Sequence, residues 1–590
     1  MNRKIFVRTL IASVFSDLAL AAGHMVDGIV IGNYAGVNAV AAFSLFTPAM
    51  FILTFIGPAI QRGAVSTYTM LIGKGEIDKA NSVFTLANIF AVTVSLILTL
   101  IAVIYAEPIM QLLGAVGKNS HLVKTGADYI RGYAPGIAFF CSGRILSGFM
   151  NIDGDLNRTV YSIVIMTIVN IAGDFYAVLF TDTGMFGIGL ATSIGNAVCF
   201  AVLMMHFLRK RRILSWKFEF SGIKEIAFNI INMLKKGATQ ANSRIVKTIA
   251  GIGISHVLTL YASGAALAAY GIHVQLRNSV GIFHIAVANT VWLMTCIAHG
   301  EENRTALHEI QNMVIRIALP IGACVSAALI LFRENFAVLY LGHADPEVLA
   351  MASKSILALG CTIMLFIIMF SFSNYIDAIK RIFASNVFTV ILQFMPLVSI
   401  FFMVRLWGDD GIWPALFLGG VFYLVIALVY MLTIGLDVPL FREKALMLDK
   451  NFPQEDESHE IEYLADSMFD VMGMSSAAHL FCLENGFSGK KAANLALCIE
   501  EMCGNIIQYG FNDGKKHTIH MRILAKDNEI IARIRDDCKP FNPVERYEMT
   551  VQNHEDPTKN IGIRLTMKLC SSVQYLSTFG MNNLIMKISK

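Results

Sequence analysis

Charge is the first thing this chain lacks. Only 15% of its 590 residues are Asp, Glu, Lys or Arg, while 55% are hydrophobic and the mean hydropathy is +0.59. Soluble domains carry roughly 25% charged residues, so a wholly soluble protein is excluded and most of the chain must face lipid or other apolar helices. The formal net charge of +4 is too small for a chain of this size to indicate a nucleic-acid partner. The ten cysteines are scattered from Cys141 to Cys570, with no CxxC pair and no Cys/His spacing of a zinc site. Isolated cysteines in apolar segments read as small core residues. A cleavable leader is not expected either. The N-terminal MNRKIFVRTLIASVF has a basic start and an apolar run, but it has no small-residue cleavage site and leads into further membrane sequence, which marks it as a retained first span.

What is present is a long series of apolar segments of about 20 residues, the length needed to cross a bilayer. They lie near 8–32, 38–62, 83–106, 124–148, 159–181, 187–208, 237–260, 264–294, 308–332, 347–373, 382–404 and 412–435, giving about twelve spans. Lys and Arg collect in alternate connections: Arg62, Lys74 and Lys79; Arg209 to Arg212 with Lys217, Lys224, Lys235 and Lys236; Lys380 and Arg381; Arg442 and Lys444. The connections at 33–38 and 181–185 carry neither residue. Both termini are therefore expected in the cytoplasm of a multi-pass plasma (inner) membrane protein. The basic connection near 209–236 divides the spans into two six-helix lobes, 1–222 and 223–440. A weak internal repeat agrees with the division: NRTVYSIVIMTIVN from Asn157 resembles KRIFASNVFTVILQ from Lys380. Repeated halves around a central site suit a transporter of a small-molecule substrate, although duplication also builds channels and scaffolds.

Ionisable groups inside a span are costly and mark function. Asp27 falls in the first span. Asn170 and Asp174 lie four apart, on one face of the fifth, and Thr192 follows in the sixth. Two carboxylates and an amide converging in a bundle suit a proton or Na⁺ exchanged against a solute; interfacial wetting of Asp27 and Asp174 is the plainer alternative. The stretch VDGIVIGNYAG…TPAMF…GKGEIDKA, with Asp27, Gly32, Gly36 and Pro48, and the stretch NIAGDFYAVLF…GIGLATSIG resemble the MATE family of multidrug and toxin extrusion transporters over residues 8–435. That resemblance implies a twelve-helix cation antiporter. It also implies an H⁺ or Na⁺ coupling site in the first lobe, to which Asp27, Asn170, Asp174 and Thr192 correspond. The second lobe departs from it, with Gln240, Arg244, Lys247, Gln275, Arg277 and His284 in or near spans seven and eight. Basic groups facing a cavity would favour an anionic or zwitterionic ligand, unless they snorkel or pair with Asp377.

After about Asp449 the apolar runs shorten and charge rises. An acidic linker (441–458) precedes a region (459–590) large enough for one domain. Its pattern predicts helices at 460–485 and 489–510, a hairpin of strands 517–525 and 529–536 turning at Lys526-Asp527-Asn528, and an irregular stretch 537–560. A helix at 562–571 and strands 572–579 and 583–588 complete it. This is an α+β sandwich with helices over one face of a mixed sheet.

On helix 489–510, Leu495, Ile499, Met502 and Ile506 form the buried stripe, and Glu501, Asn505 and Gln508 take another face. A carboxylate one turn from an amide suits a base and a Mg²⁺ ligand. With IRDDCKPF at a strand end and NIGIRLTMKL opening a helix, these segments resemble the GHKL (histidine kinase-like) ATPases, and most closely the anti-sigma-factor serine kinases. The resemblance implies Mg-ATP binding: Glu501 as catalytic base, Asn505 as Mg²⁺ ligand, Asp536 on the adenine amino group, Phe541 as pocket residue and Gly562 as the retained glycine of the second box. It implies an anti-anti-sigma-like protein as a partner and leaves weak ATPase or serine kinase activity open. Two glycines of the pattern are replaced, by Cys538 and Asn560; Asn tolerates positive φ better than Cys does. His459 lacks the Pro of a phosphoacceptor helix and reads as surface. With no P-loop GxxxxGK[ST] and no second ATPase half, ATP is expected to regulate transport rather than drive it. The competing expectation is a signalling protein whose membrane half senses a ligand and controls the tail.

Overall fold

The computed structural model describes the chain apart from residues 1, 31–42, scattered positions between 44 and 55, 113–119, 209–213, 221, 342–345, 435–440, 450–451, 453–459, 527, 553–555, 557–559, 579–580 and 590. Gly32, Gly36, Pro48, Asp527, His459 and Arg209 to Arg212 lie outside the described residues.

Among the described residues the membrane half is built from helices, with an irregular connection at 214–220. Its long helices are α1 (Asn2–Val30), α2 (Ile56–Lys74), α3 (Ile77–Ile104), α4 (Ser120–Tyr133), α5 (Pro135–Ile152), α6 (Leu156–Phe180) and α7 (Gly184–Met204). They continue with α8 (Ile223–Tyr261), α9 (Gly264–Gly300), α10 (Arg304–Met313), α11 (Leu319–Leu331), α12 (Pro346–Ala378), α13 (Ile382–Trp407) and α14 (Ile412–Ile434). Two expected spans are composite, each for the same reason. Pro135 and Pro320 lack the N–H that continues a helical ladder. The chain therefore breaks at Ala134 between α4 and α5, and a π-helical turn (Val314–Ala318) joins α10 to α11. Large apolar side chains such as Leu100, Ile104, Ile168 and Phe402 face outward, as lipid contact requires.

The two halves meet where backbones nearly touch. A Cβ at Gly63 on α2 would overlap the Met233 carbonyl of α8, and one at Gly237 on α8 would overlap that of Ala59. Small residues let helices approach this closely without a hydrophobic driving force between them. Segment 441–449, at the start of the expected linker, packs on the second half. The Tyr375 hydroxyl donates to the Leu446 carbonyl (2.9 Å) and Arg381 Nε to that of Met447 (2.8 Å).

The tail is a five-stranded sheet in the order β1-β2-β3-β5-β4, from β1 (Glu460–Ala465), β2 (Ile519–Ala525), β3 (Glu529–Asp536), β4 (Ser572–Thr578) and β5 (Met581–Ser589). Every pairing is antiparallel, which corrects the expected mixed sheet. Helices α15 (Met468–Glu484), α16 (Gly489–Gly510), α17 (Pro543–Gln552) and α18 (Ile561–Leu569) complete it. Residues 460–465 are an edge strand and not the start of a helix. The helix begins only at Met468, where Ser467 and Asp470 form a capping box that cannot be moved upstream. Helix α17 occupies part of the stretch expected to be irregular, because the Asn542 side chain accepts from the Val544 and Glu545 amides (3.0 and 3.3 Å) ahead of Pro543. Alternation then sorts the sheet. Met521, Ile523, Ile530, Ala532 and Ile534 pack against the helices. Arg522, Ile531, Arg533 and Arg535 take the other face, which lies on the membrane half.

Candidate functional sites

Inside the first half, α6 and α7 pack closely: a Cβ at Gly173 would come within 2.7 Å of Ala191 Cβ, and one at Gly195 within 3.4 Å of Asn170 Cβ. That contact encloses the polar pair anticipated on α6. Asp174 is fully buried, and Asn170 Nδ2 donates to its Oδ2 at 3.0 Å. Thr192, beside Ala191 on α7, is buried and donates to the Ile188 carbonyl (3.4 Å). Asp27 is helical, on α1; its side chain lies outside the described residues, as do those of Gln240, Arg244 and Gln275. In the second half, His284 is buried against Phe366 and Phe370, with ring centroids at 5.5 and 4.5 Å. Lys247 and Arg277 both lie close enough to act on it electrostatically.

Arg62, expected among loop charges, is instead buried within α2. Its Nε donates to Asp377 Oδ2 on α12 at 2.9 Å and its Nη2 to Asn374 Oδ1 at 2.5 Å, while the guanidinium lies 4.3 Å from the Trp292 ring centroid. This ion pair joins the two halves, with both side chains under 10% exposed. Its partners are 315 residues apart, so no local pattern could have announced it.

In the tail, the N-terminus of α18 faces the middle of α16. Gly562 abuts the Glu501 carboxylate so tightly that a Cβ there would overlap Oε2. Glu501 and Asn505 are half-buried, one turn apart on α16. Asn560 has φ 56° and ψ 38°, so the Asn that replaces a glycine adopts the left-handed conformation a glycine would supply. Asp536 ends β3 on the helix side of the sheet and is buried. Its Oδ1 accepts from Asn582 Nδ2 (2.6 Å) and from the Cys538 amide (3.0 Å). Burial raises its pKa, against the pull of those donors. Cys538 packs on Gly510, 2.9 Å from where a Cβ there would sit, and burial pushes its thiol up to about 12, so it is a neutral packing group. Phe541 is 49% exposed. His517 bridges Asp537 (2.8 Å) and Asp513 (2.7 Å). These residues fit a nucleotide site in their donor set: a carboxylate and an amide on α16, a buried carboxylate at the strand end, and a helix N-terminus opened by a left-handed residue.

Sequence reasoning missed Glu301, directly after α9. Arg535 Nη2 pairs with its Oε1, Arg533 Nη1 reaches that oxygen at 3.3 Å, and Arg522 donates to its backbone carbonyl at 2.8 Å. Burial alone would raise the Glu301 carboxyl, but Arg535, Arg533 and Arg522 outweigh it and hold it below the usual carboxylate range. The available signal was the acidic pair Glu301-Glu302 at a span end facing a strand that reads Ala532-Arg533-Ile534-Arg535.

Comparison with known proteins finds two different families along the chain. The MatE family model matches residues 12–176 and 243–402, more than half of the chain, and the histidine kinase-like ATPase domain model matches 470–588. The "Probable multidrug resistance protein YoeA" of Bacillus subtilis (strain 168) is 22% identical over 362 residues, covering 60% of this chain and 77% of its own. The "Multidrug export protein MepA" of Staphylococcus aureus (strain bovine RF122 / ET3-1) is 22% identical over 382 residues, covering 65% and 83%. Among solved structures, a MOP superfamily transporter from Pyrococcus furiosus, described as having a binding pocket of reverse polarity, superposes with TM-score 0.66. That match has 19% identity and covers 74% of this chain and 97% of the other.

Proposed function

The chain belongs to the MatE family, with a histidine kinase-like ATPase domain fused behind it, and from that membership we propose a proton- or Na⁺-coupled antiporter that exports a small organic solute. The observation that carries this reading is the enclosed Asn170–Asp174 pair. A carboxylate with no exposure to water is expensive to keep charged, so it binds and releases a cation as the bundle changes conformation. Asp27 and Thr192 belong to the same proposed site. The end of the bundle that carries the tail is assigned to the cytoplasm, in keeping with the Lys and Arg distribution. The lobe boundaries 1–222 and 223–440, the linker 441–458 and the domain 459–590 are part of the reading. Lys247 and Arg277 around His284 favour a solute that carries negative charge, anionic or zwitterionic, over a purely cationic drug. The archaeal relative described by its reversed pocket polarity offers a parallel.

The tail is proposed to bind Mg-ATP and regulate transport. Bound nucleotide would bring a polyphosphate and a metal ion to the mouth of α18. There Asn505 would hold the Mg²⁺, Glu501 would hold or accept a proton, Asp536 would receive the adenine amino group, and Phe541 would flank the base. Serine kinase activity toward an anti-anti-sigma-like protein is the finer version of the same reading. Its alternative is a signalling protein in which the membrane half senses a ligand and governs that kinase. The test combines two assays on the full chain. In proteoliposomes, Asp174→Asn should abolish ion-gradient-driven flux; flux at the wild-type rate would sink the coupling assignment. Mg-ATP should raise the melting temperature of the wild type and not of Asn505→Ala; equal shifts, or none, would sink the nucleotide assignment.

A further inference from the structure

The face of the tail's sheet turned away from its helices carries three arginines, Arg522, Arg533 and Arg535. Arg522 and Arg533 are direct cross-strand partners, a like-charge pair that opposes sheet formation, and Arg535 follows on the same face. Arg522 is paired within the tail by Glu460 of β1, whose Oε2 its Nη2 meets at 2.7 Å, and also reaches the membrane half, while Arg533 and Arg535 are met by a carboxylate of the membrane half. Glu301 receives Arg533 and Arg535, Arg522 donates to the Glu301 and Glu302 carbonyls (2.8 and 3.0 Å), and Lys526 Nζ pairs with Glu302 Oε2 at 2.9 Å. Asn303 Nδ2 reaches Glu462 on β1 at 3.3 Å. These contacts belong to the connection after α9, in the second half. The same face also grips the first half. Lys4 Nζ on α1 pairs with Asp537 Oδ2 (2.6 Å), the Gln574 side chain meets the turn at Gly75, and Ile531, Leu576 and Ile585 share one buried apolar cluster with Tyr68 and Ile72 of α2.

We propose that this sheet face is an interaction surface whose partner is the transporter half of the same chain. It clamps the two lobes together on the tail side. A carrier that works by moving one lobe against the other cannot open on this side while one rigid sheet holds both, so the docked tail keeps the protein closed there and transport requires its release. Strand β3 supplies the route by which the tail's own ligand acts. Arg535 faces Glu301, the next residue, Asp536, faces the candidate nucleotide pocket, and Asp537 holds Lys4. The clamp rests on the regulatory reading only for this last link.

The test uses the full chain in lipid nanodiscs without nucleotide. A zero-length carbodiimide should couple Lys4 to Asp537 and Lys526 to Glu302, read by peptide mass spectrometry. Opening between the lobes is read as the alkylation rate of Cys296, which is fully buried on α9 with its Sγ 3.9 Å from Ser66 Oγ on α2. Glu301→Arg places a fourth cation among the three arginines. It should abolish both cross-links and raise the Cys296 rate roughly tenfold or more. Adding Arg535→Glu should bring both back toward the wild-type values. Should Glu301→Arg fail to fold, Lys526→Glu at the exposed rim decides the matter through the Lys4–Asp537 cross-link and the Cys296 rate, since it removes the amine of the other cross-link; a smaller rise of the same sign is expected. Cross-links that survive, or cross-links lost with no change at Cys296 in either variant, would overturn the clamp. No nucleotide is present in any arm, so failure of ATP binding would leave these results standing.

Discussion

The Arg62–Asp377 pair offers a sharp quantitative test of how the lobes are held. Asp377→Ala removes the carboxylate and strands a guanidinium that is almost wholly buried. Breaking one side of a buried pair costs about 3–5 kcal/mol, chiefly as the penalty of the uncompensated charge. Arg62 would keep Asn374 Oδ1 at 2.5 Å and the Trp292 face at 4.3 Å, each an interaction of about 1 kcal/mol. The lower end, about 3 kcal/mol, is therefore the expectation. In a state where the halves part and Arg62 meets water, the penalty disappears, so the closed arrangement alone bears it. At 1.4 kcal/mol per factor of ten, the open population rises about 100-fold. Alkylation of Cys296 by a membrane-impermeant maleimide, followed cysteine by cysteine in peptide digests, should accelerate by about that factor. Arg62→Met with Asp377→Leu removes both charges and should restore a near-wild-type rate, because an apolar pair of similar volume is often neutral. A single variant that labels within about twofold of wild type, or a double variant as fast as the single, would refute the argument.

Two further expectations concern the tail. Gly562→Ala drives a methyl into the Glu501 carboxylate and should weaken Mg-ATP binding by roughly tenfold or more, the size of an overpacking penalty of about 1–3 kcal/mol. Titration calorimetry on the full chain measures it, and unchanged affinity would separate Gly562 from the site. The His517 pKa is raised because Asp537 and Asp513 accept from both ring nitrogens. A raised folded value means that this stabilisation is complete below the ordinary histidine value of 6.5 and is lost as the pH climbs through the folded one. Hydrogen exchange of residues 512–521 should therefore quicken, relative to its intrinsic rate, as the pH rises above 6.5. His517→Gln should flatten that dependence, and a flat wild-type profile would refute it.

Some features needed only local chemistry and were legible before any packing was known. The spans follow from hydropathy, since lipid admits long apolar helices and little else; most observed helices fall close to the expected segments, while expected span 38–62 lies largely outside the described residues and the helix there runs Ile56–Lys74. Asn170 and Asp174 meet because residues four apart share a helix face. The left-handed Asn560 was foreshadowed by the one substitution for glycine that tolerates positive φ. Edge strand β1 lost to a helical reading because a single edge strand carries a weak pattern, although the Ser467-Asp470 capping box was available to place the helix start.

Other features depend on partners far apart in the chain, and they emerge only when the helices and the sheet are packed. Arg62 reads as a loop charge until α12 brings Asp377 to it. Arg533 and Arg535 find their carboxylate only when Glu301 arrives from more than 200 residues away, although Arg522 beside them already has Glu460 on the neighbouring strand. The physical reason is the same in both places. Burial of an ion is tolerated only where an opposite charge has already been carried to it, and which charge that is depends on how the helices and the sheet pack together.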